Sequence, residues 1–183
     1  KKYFVSNLQK QIDVLHYHLN LDLNIEEKIL SGTAKLTATK NPTLDLDPEL
    51  ELNLYDNLIV SSIKVNGFNT TYSRNKNRLY IRPTIEFGDT FDIEIIYRGT
   101  PKKSGFDGFV FGEVNGQSLV YNISEPIYTP TWFPCDDDPS DKALLDIEIT
   151  NDSQFVSVSN GNLISVNVNE NKKTYHYKTV YPI

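Results

Sequence analysis

The sequence has no methionine, a single cysteine (Cys135) and a single tryptophan among its 183 residues. One cysteine excludes an internal disulfide and any zinc cluster built from several thiolates. No apolar run approaches the roughly 18 residues that a membrane-spanning helix needs. Because a complete translation product begins with methionine, we expect this chain to be a processed or excised piece of a longer protein.

Positive charge is also scarce, since 18 Lys and Arg stand against 24 Asp and Glu, for a net charge of −6. The basic residues form no patch or stripe, which argues against a nucleic acid or an anionic membrane as partner. The length and an apolar fraction of 39% suit one globular domain. No signal segment is visible, so the sequence leaves the cellular compartment open.

Only three histidines are present: His16, His18 and His176. His16 and His18 lie two residues apart, which places both on one face of a strand. No carboxylate or cysteine at ligand spacing completes a metal site with them, and no H-E-x-x-H motif occurs. We therefore predict no metal site within the chain.

The dominant pattern is an alternation of apolar and polar residues with a period of two, which is typical of half-buried strands. It is clearest from Asp13 to Leu23 and from Ile29 to Thr39, where Gly32 suggests a β-bulge. Asn66-Gly67 and Asn160-Gly161 are typical of hairpin turns. Further strands are predicted over 44–54, 58–65, 78–81, 91–97, 143–150, 155–159, 163–168 and 174–179.

This pattern predicts an all-β fold of layered antiparallel sheets, similar to a sandwich. We interpret residues 1–183 as a single domain that begins with a lead-in segment at 1–11. The last strand runs directly into the end of the sequence, so we expect more chain to follow residue 183.

The alternation weakens between Gly105 and Lys142, where glycine, proline, aromatic and acidic residues concentrate. A long irregular segment inside a compact β domain is uncommon, and it usually serves a function. The single tryptophan and the single cysteine both fall within it. This segment is where we expect the functional residues.

Glu125 lies between Ser124 and Pro126, outside the alternating runs. From the residues alone, its carboxylate is suited to a cation, a substrate amine or an arginine, or it is simply solvated or caps a turn. The run Asp136-Asp137-Asp138 favours turn-forming and capping roles, because three consecutive carboxylates cannot all point at one ion. Cys135 has no histidine near it in sequence, which favours a buried small residue over a nucleophile.

A longer motif in this segment resembles a known family, the zinc metallopeptidases of the aminopeptidase N type, which include relatives of leukotriene hydrolase. The resemblance rests on the spacing Trp132-Phe133-Pro134-Cys135-x-Asp137-x-Pro139-x-x-Lys142-Ala143, with Glu125 upstream. Weaker features follow in the same order from about residue 12, among them Gly105-Phe106 and Ser159-Asn160-Gly161. The similarity is to the N-terminal domain of that family.

The resemblance implies a β-saddle domain without catalytic residues of its own. It implies that a zinc-binding catalytic domain follows residue 183, that the full-length enzyme needs zinc, and that the substrate is a peptide. In the family, one Gln or Glu of the N-terminal domain binds the free α-amine of the substrate, and Glu125 occupies the matching position. An ammonium held by a carboxylate would restrict cleavage to the first peptide bond.

The rest of the motif is expected to support this site. We expect Pro134, Cys135, Asp137, Pro139 and Lys142 to form a tight turn that positions the Glu125 loop, with an Asp137–Lys142 contact. The aromatic residues Tyr121, Tyr128 and Trp132 are suited either to the cleft or to the core. Many family members have Gln where this chain has Ile123, so the substrate preference stays open.

Two other hypotheses need no downstream domain. The chain is alternatively a stand-alone β-sandwich module that binds glycans or proteins, or a spacer between domains. An exposed strip of stacked aromatic rings would support the binding module. Burial of Trp132 and Phe133 under a turn would count against it.

Overall fold

The computed structural model describes residues 5–41, 49–84, 86, 88–103 and 108–183. Within them the chain forms two 3-10 helices, Gln9–Gln11 and Thr129–Thr131, and thirteen strands. The strands are β1 Ile12–Asn24, β2 Ile29–Lys40, β3 Leu50–Asn53, β4 Leu58–Val65, β5 Phe68–Asn69, β6 Thr71–Asn75, β7 Arg78–Arg82, β8 Thr90–Gly99, β9 Gly108–Val114, β10 Gln117–Ile123, β11 Leu144–Asp152, β12 Asn162–Asn169 and β13 Lys172–Lys178.

Some sequence predictions fall partly outside the described residues. The strand predicted over 44–54 is described only from Leu50 onward, and Gly105-Phe106 and the first residues of the lead-in segment are not described. No helix in the described part of the chain is long and apolar enough to cross a membrane.

The strands form three sheets, which confirms the predicted all-β, layered class. The large sheet has eight strands in the order β12-β13-β11-β1-β2-β8-β4-β5. A three-stranded sheet has the order β3-β7-β6, and β9 and β10 form a separate hairpin. One pair departs from the expected antiparallel arrangement, because β11 runs parallel to β1, with His16 opposite Leu144 and Asp22 opposite Thr150.

The alternation of the sequence accounts for the core. In β8, Phe91, Ile93, Ile95 and Tyr97 are buried, while the residues between them are half-buried or exposed. One apolar cluster joins these side chains to those of β1, β2 and β4 and to those of β3 and β7 in the three-stranded sheet. Burying one such side chain contributes about 1.5–3 kcal/mol, so the cluster stabilises the stacking of the two sheets.

Gly32 has a different role from the predicted bulge. It pairs in regular register with Leu21 and Tyr97, and the irregularity in this ladder lies in β1, between Val14 and His16. A Cβ at position 32 would lie 2.4 Å from the ring carbon Cζ of Tyr97. The glycine is therefore required because the Tyr97 ring lies directly over its backbone.

Two Asn-Gly turns connect neighbouring strands, one that was predicted from the sequence and one that was not. Asn66 and Gly67, with φ values of 49° and 83°, connect β4 to β5 as predicted. Asn115 and Gly116 form the same kind of turn between β9 and β10, with φ values of 53° and 77°. The segment predicted as irregular from Gly105 thus contains a regular hairpin, and the irregular part begins at Ser124.

The strand predicted over 155–159 is wrong. These residues pair with no strand in the described part of the chain. The hydroxyls of Tyr175 and Tyr177 donate instead to the carbonyls of Phe155 and Ser157, at 3.2 and 2.9 Å. Because these carbonyls accept hydrogen bonds from side chains, the alternating sequence of 155–159 forms no strand ladder. The turn at Asn160-Gly161 therefore does not connect two paired strands.

The close approach of Tyr97 to Gly32 predicts a specific loss of stability. We expect Gly32→Ala to lower the free energy of unfolding by about 1–3 kcal/mol, because the added methyl group must displace a fully buried ring. Denaturant unfolding of the chain measures this change. The control is Gly112→Ala in β9, where the nearest atom to an added Cβ is 3.7 Å away and little change is expected. Equal effects of both substitutions would contradict this account.

Candidate functional site

Glu125 lies in a turn that directly follows β10. The backbone amide of Tyr128 donates to the carbonyl of Ser124 at 2.7 Å, which closes the turn. The peptide bond between Glu125 and Pro126 is cis. The Glu125 side chain is exposed, and none of the described residues forms an ion pair with its carboxylate. The turn thus presents a free carboxylate on a defined backbone.

Trp132 connects this turn to the core. Its indole Nε1 donates to the hydroxyl of Ser124 at 2.9 Å, and Ser124 in turn donates to Asn122 Oδ1 at 3.2 Å. The Trp132 ring packs edge-on against Phe133, with 4.4 Å between centroids, and lies 5.9 Å from the ring of Phe109. The residue next to Glu125 is therefore fixed by a buried aromatic cluster.

The aromatic residues do not form an exposed strip. Trp132 and Phe133 are only 7% and 6% exposed. Tyr121 and Tyr128 are half-buried. This burial is the outcome that counts against a module binding glycans through stacked rings.

Cys135 joins the motif to the three-stranded sheet. Its backbone forms an isolated bridge with Asn53, with N–O distances of 2.7 and 3.0 Å. The Cys135 side chain is 1% exposed, and burial raises the pKa of its thiol well above the usual range. The thiol therefore stays protonated at neutral pH, which is consistent with a structural residue rather than a nucleophile.

The other motif residues differ in burial. Pro134 is buried, Asp137 is half-buried, and Pro139 and Lys142 are exposed. The amide of Asp137 donates to Asn53 Oδ1 at 3.4 Å. Among the described residues the structure records no ion pair between Asp137 and Lys142. Asp138 has the predicted turn-forming role, because its carboxylate accepts bonds from the amide and hydroxyl of Ser140 at 2.9 and 2.8 Å.

Three carboxyl groups within the motif segment are poorly solvated. Burial raises the pKa of Asp136 to about 7 and that of Asp137 to about 8, and neighbouring aspartates add to both shifts. Burial and a hydrogen bond with Asp13 also raise the pKa of Asp141. Gln9 partly offsets the shift at Asp136 by donating to its Oδ1 at 2.9 Å. At neutral pH a substantial fraction of these groups is therefore neutral.

The turn, the aromatic cluster and the carboxyl groups border one groove of about 810 Å³. Ser124 and Pro126, the two neighbours of Glu125, line it. Apolar side chains of β1 and β11 also line it, including Leu21, Ile147 and Ile149. A groove lined by apolar side chains together with polar groups is typical of a site that binds a chain segment or a small molecule.

No metal centre is formed by these residues. Within the described part of the chain, no group of three or more His, Cys, Asp or Glu side chains is arranged to hold a metal ion. Two of the three histidines contact carboxylates of the large sheet instead: His18 Nε2 lies 3.6 Å from Glu148 Oε1, and His176 contacts Asp146. The residues present here do not fit zinc.

Comparison with known proteins identifies the family. Residues 13–183 match the model described as the Peptidase M1 N-terminal domain. The chain belongs to this family. The resemblance seen in the sequence, to the N-terminal domain of this family, is thereby confirmed.

Solved structures of M1 enzymes have the same fold. The M1 zinc metallopeptidase from Deinococcus radiodurans is 28% identical, with a TM-score of 0.80 over 94% of this chain. A mutant of that enzyme bound to a Tyr-Ser-Ala substrate is 26% identical, with a TM-score of 0.81 over the same share. Yeast LTA4 hydrolase, at 23% identity and a TM-score of 0.75 over 95% of the chain, shares the fold. This chain covers 40% of the Deinococcus enzyme and 27% of the yeast enzyme.

Several residues that shape the site of this M1 N-terminal domain carry no sequence signal. Asn53 bonds to Cys135, and Gln9 donates to Asn53 Oδ1 at 2.6 Å, yet both lie far from the motif in the chain. The hydroxyl of Tyr17 accepts a bond from the amide of Asp136 at 3.1 Å. A two-residue alternation shows that Tyr17 lies in a strand, but it cannot show which backbone group its hydroxyl meets.

The raised pKa values predict how the stability of this domain depends on pH. Asp136 and Asp137 have a pKa of 3.8 in the unfolded chain and of about 7 and 8 in the folded domain. At pH values between these limits, the folded state therefore binds more protons than the unfolded state. The free energy of unfolding should therefore rise as the pH falls from 8 to about 5. At still lower pH stability should fall, because hydrogen bonds from lysine or histidine lower the pKa of Asp92 and Asp146. Urea unfolding at several pH values measures this profile.

A matched pair of variants tests whether Asp137 causes this pH dependence of stability. Asp137→Asn should flatten the profile between pH 5 and 8, because it removes one carboxyl group that is protonated on folding. Asp56→Asn, at a largely exposed aspartate that pairs with Lys102, should leave the slope unchanged. A free energy of unfolding that increases from pH 5 to pH 8 would contradict the prediction.

Proposed function

We propose that this chain is the non-catalytic N-terminal domain of a zinc-dependent aminopeptidase, and that Glu125 binds the α-ammonium group of the peptide substrate. The observation that carries the proposal is the free Glu125 carboxylate, which is exposed on a turn fixed by Trp132. Its two neighbours in that turn, Ser124 and Pro126, line the groove. Membership of the M1 family and the Tyr-Ser-Ala substrate of the Deinococcus relative support the aminopeptidase assignment.

An exposed carboxylate suits this role when a second domain covers it. In water an ion pair between a carboxylate and an ammonium contributes little, because both groups are well solvated. In a cleft between two domains the same pair loses solvent and becomes a strong positional restraint. The position of Glu125 at the edge of the domain, outside its core, is consistent with a residue that completes a site shared with an adjoining domain.

The residues present support a division of labour between this domain and a second one. The chain covers 40% of the Deinococcus enzyme, and its described residues offer no zinc site. We propose that an adjoining domain of the same polypeptide holds the zinc ion, which would supply an activated water for hydrolysis of the peptide bond. This domain contributes orientation, because a substrate held by its amino terminus presents its first peptide bond to the catalytic groups.

Replacement of Glu125 tests the proposal. In the full-length enzyme, Glu125→Ala should lower kcat/KM for aminoacyl substrates by roughly 30- to 1,000-fold, which corresponds to about 2–4 kcal/mol. The loss arises because the substrate ammonium would be left without its partner in the cleft. Steady-state kinetics with an aminoacyl substrate measures it.

Two comparisons make the test specific. Glu113→Ala removes an exposed glutamate from β9, in the hairpin that precedes the Glu125 turn, and should leave kcat/KM unchanged. A substrate whose α-amine is acetylated should be cleaved poorly by the unmodified enzyme, and Glu125→Ala should change its rate little. If Glu125→Ala cleaves free-amine substrates at normal efficiency, Glu125 does not bind the amine.

A further inference from the structure

Strand β12 lies at one end of the large sheet. It pairs with β13 along one edge, and no strand in the described part of the chain pairs with the other. An open edge exposes unpaired backbone N–H and C=O groups, which can pair with another extended chain. β12 has eight residues, whereas β5 at the opposite end has two. At that end β5 pairs with only Lys64 and Val65 of β4, so β12 is one of two long strands of this sheet with an open side.

The sequence of β12 lacks the charges and proline that usually protect an edge strand, and its one irregularity lies near its start, between Leu163 and Ser165. Natural edge strands carry charged side chains, especially lysine, or proline, which oppose pairing with other chains. β12 reads Asn-Leu-Ile-Ser-Val-Asn-Val-Asn and contains none of these. This is unusual in a chain with 42 charged residues among 183. The strand itself therefore carries no charge that would oppose pairing with another chain.

Apolar side chains of β12 are also exposed. Val166 and Val168 are 41% and 65% exposed. The register with β13 places Val166 opposite Tyr175 and Val168 opposite Lys173, so both valines project from the inner face of the sheet. Two valines spaced by two residues can pack against a second strand on the same face.

The strand is complementary to itself. If two copies align antiparallel about a two-fold axis with Asn167 facing Asn167, Val166 of each copy faces Val168 of the other. Both valines lie on the same face, so two valine pairs form, and Ser165 faces Asn169 on the other face. The absence of charge within the strand means that this alignment brings no like charges together, although each chain carries a net charge of −6.

We propose that two copies of this chain associate through their β12 strands, which extends the large sheet across a two-fold axis. A two-fold contact uses the same patch on both copies, which suits a self-complementary strand. One eight-residue strand per copy buries little area, so the interface belongs to the small and weak class. Association is therefore reversible and depends on concentration.

Sedimentation velocity of the 183-residue chain between about 1 µM and about 1 mM tests the proposal. We expect a concentration-dependent shift from the monomer to the dimer. Val168→Lys places a cation on the open edge and should weaken association at least tenfold. The control Ile59→Lys adds the same charge at an exposed position of β4, near the other end of the sheet, and should leave association unchanged.

Hydrogen exchange locates the contact independently of these variants. The outward-facing amides of β12 should become protected as the concentration of the unmodified chain rises, while those of β4 should not. A chain that stays monomeric throughout this range would overturn the proposal. So would a dimer that is insensitive to Val168→Lys, or one whose β12 amides stay unprotected. Circular dichroism spectra identical to those of the unmodified chain verify that both lysine variants fold.

Discussion

The backbone bridge between Asn53 and Cys135 is the contact on which the arrangement of the site depends. Its two hydrogen bonds tie the motif segment to the three-stranded sheet. On the other side, the hydroxyl of Tyr17 in the large sheet accepts a bond from the amide of Asp136. An irregular buried segment must satisfy its backbone groups, and here partners from two sheets do so. Trp132 and the Glu125 turn take their positions from this clamped segment.

The regular part of the fold could be predicted from the sequence because its cause is local. In β1 and β8 a two-residue alternation leads directly to one buried face. The same reasoning failed at 155–159, where the carbonyls of Phe155 and Ser157 bond to two tyrosine hydroxyls. The β9–β10 hairpin was missed although Asn115-Gly116 is a turn signal, because its flanking residues alternate weakly.

The site was predictable only in part. The spacing of the motif indicated the family and singled out Glu125, and the burial of Trp132 and Cys135 agrees with a structural role for both residues. The environment of the aspartates could not be predicted, because the pKa of Asp136 depends on burial and on Gln9, which lies 127 positions earlier in the chain. Long-range packing determines these pKa values, and packing of this kind cannot be inferred from a single sequence.

The parallel pairing of β1 with β11 has a consequence for synthesis on the ribosome. β1 and β2 can form their antiparallel ladder soon after they emerge, but Leu144, the partner of His16, is added much later. At 5–20 residues per second the delay is on the order of ten seconds. During this time β1 is a nascent edge rather than a central strand. A chaperone that shields this edge until β11 arrives would protect the emerging domain from mispairing.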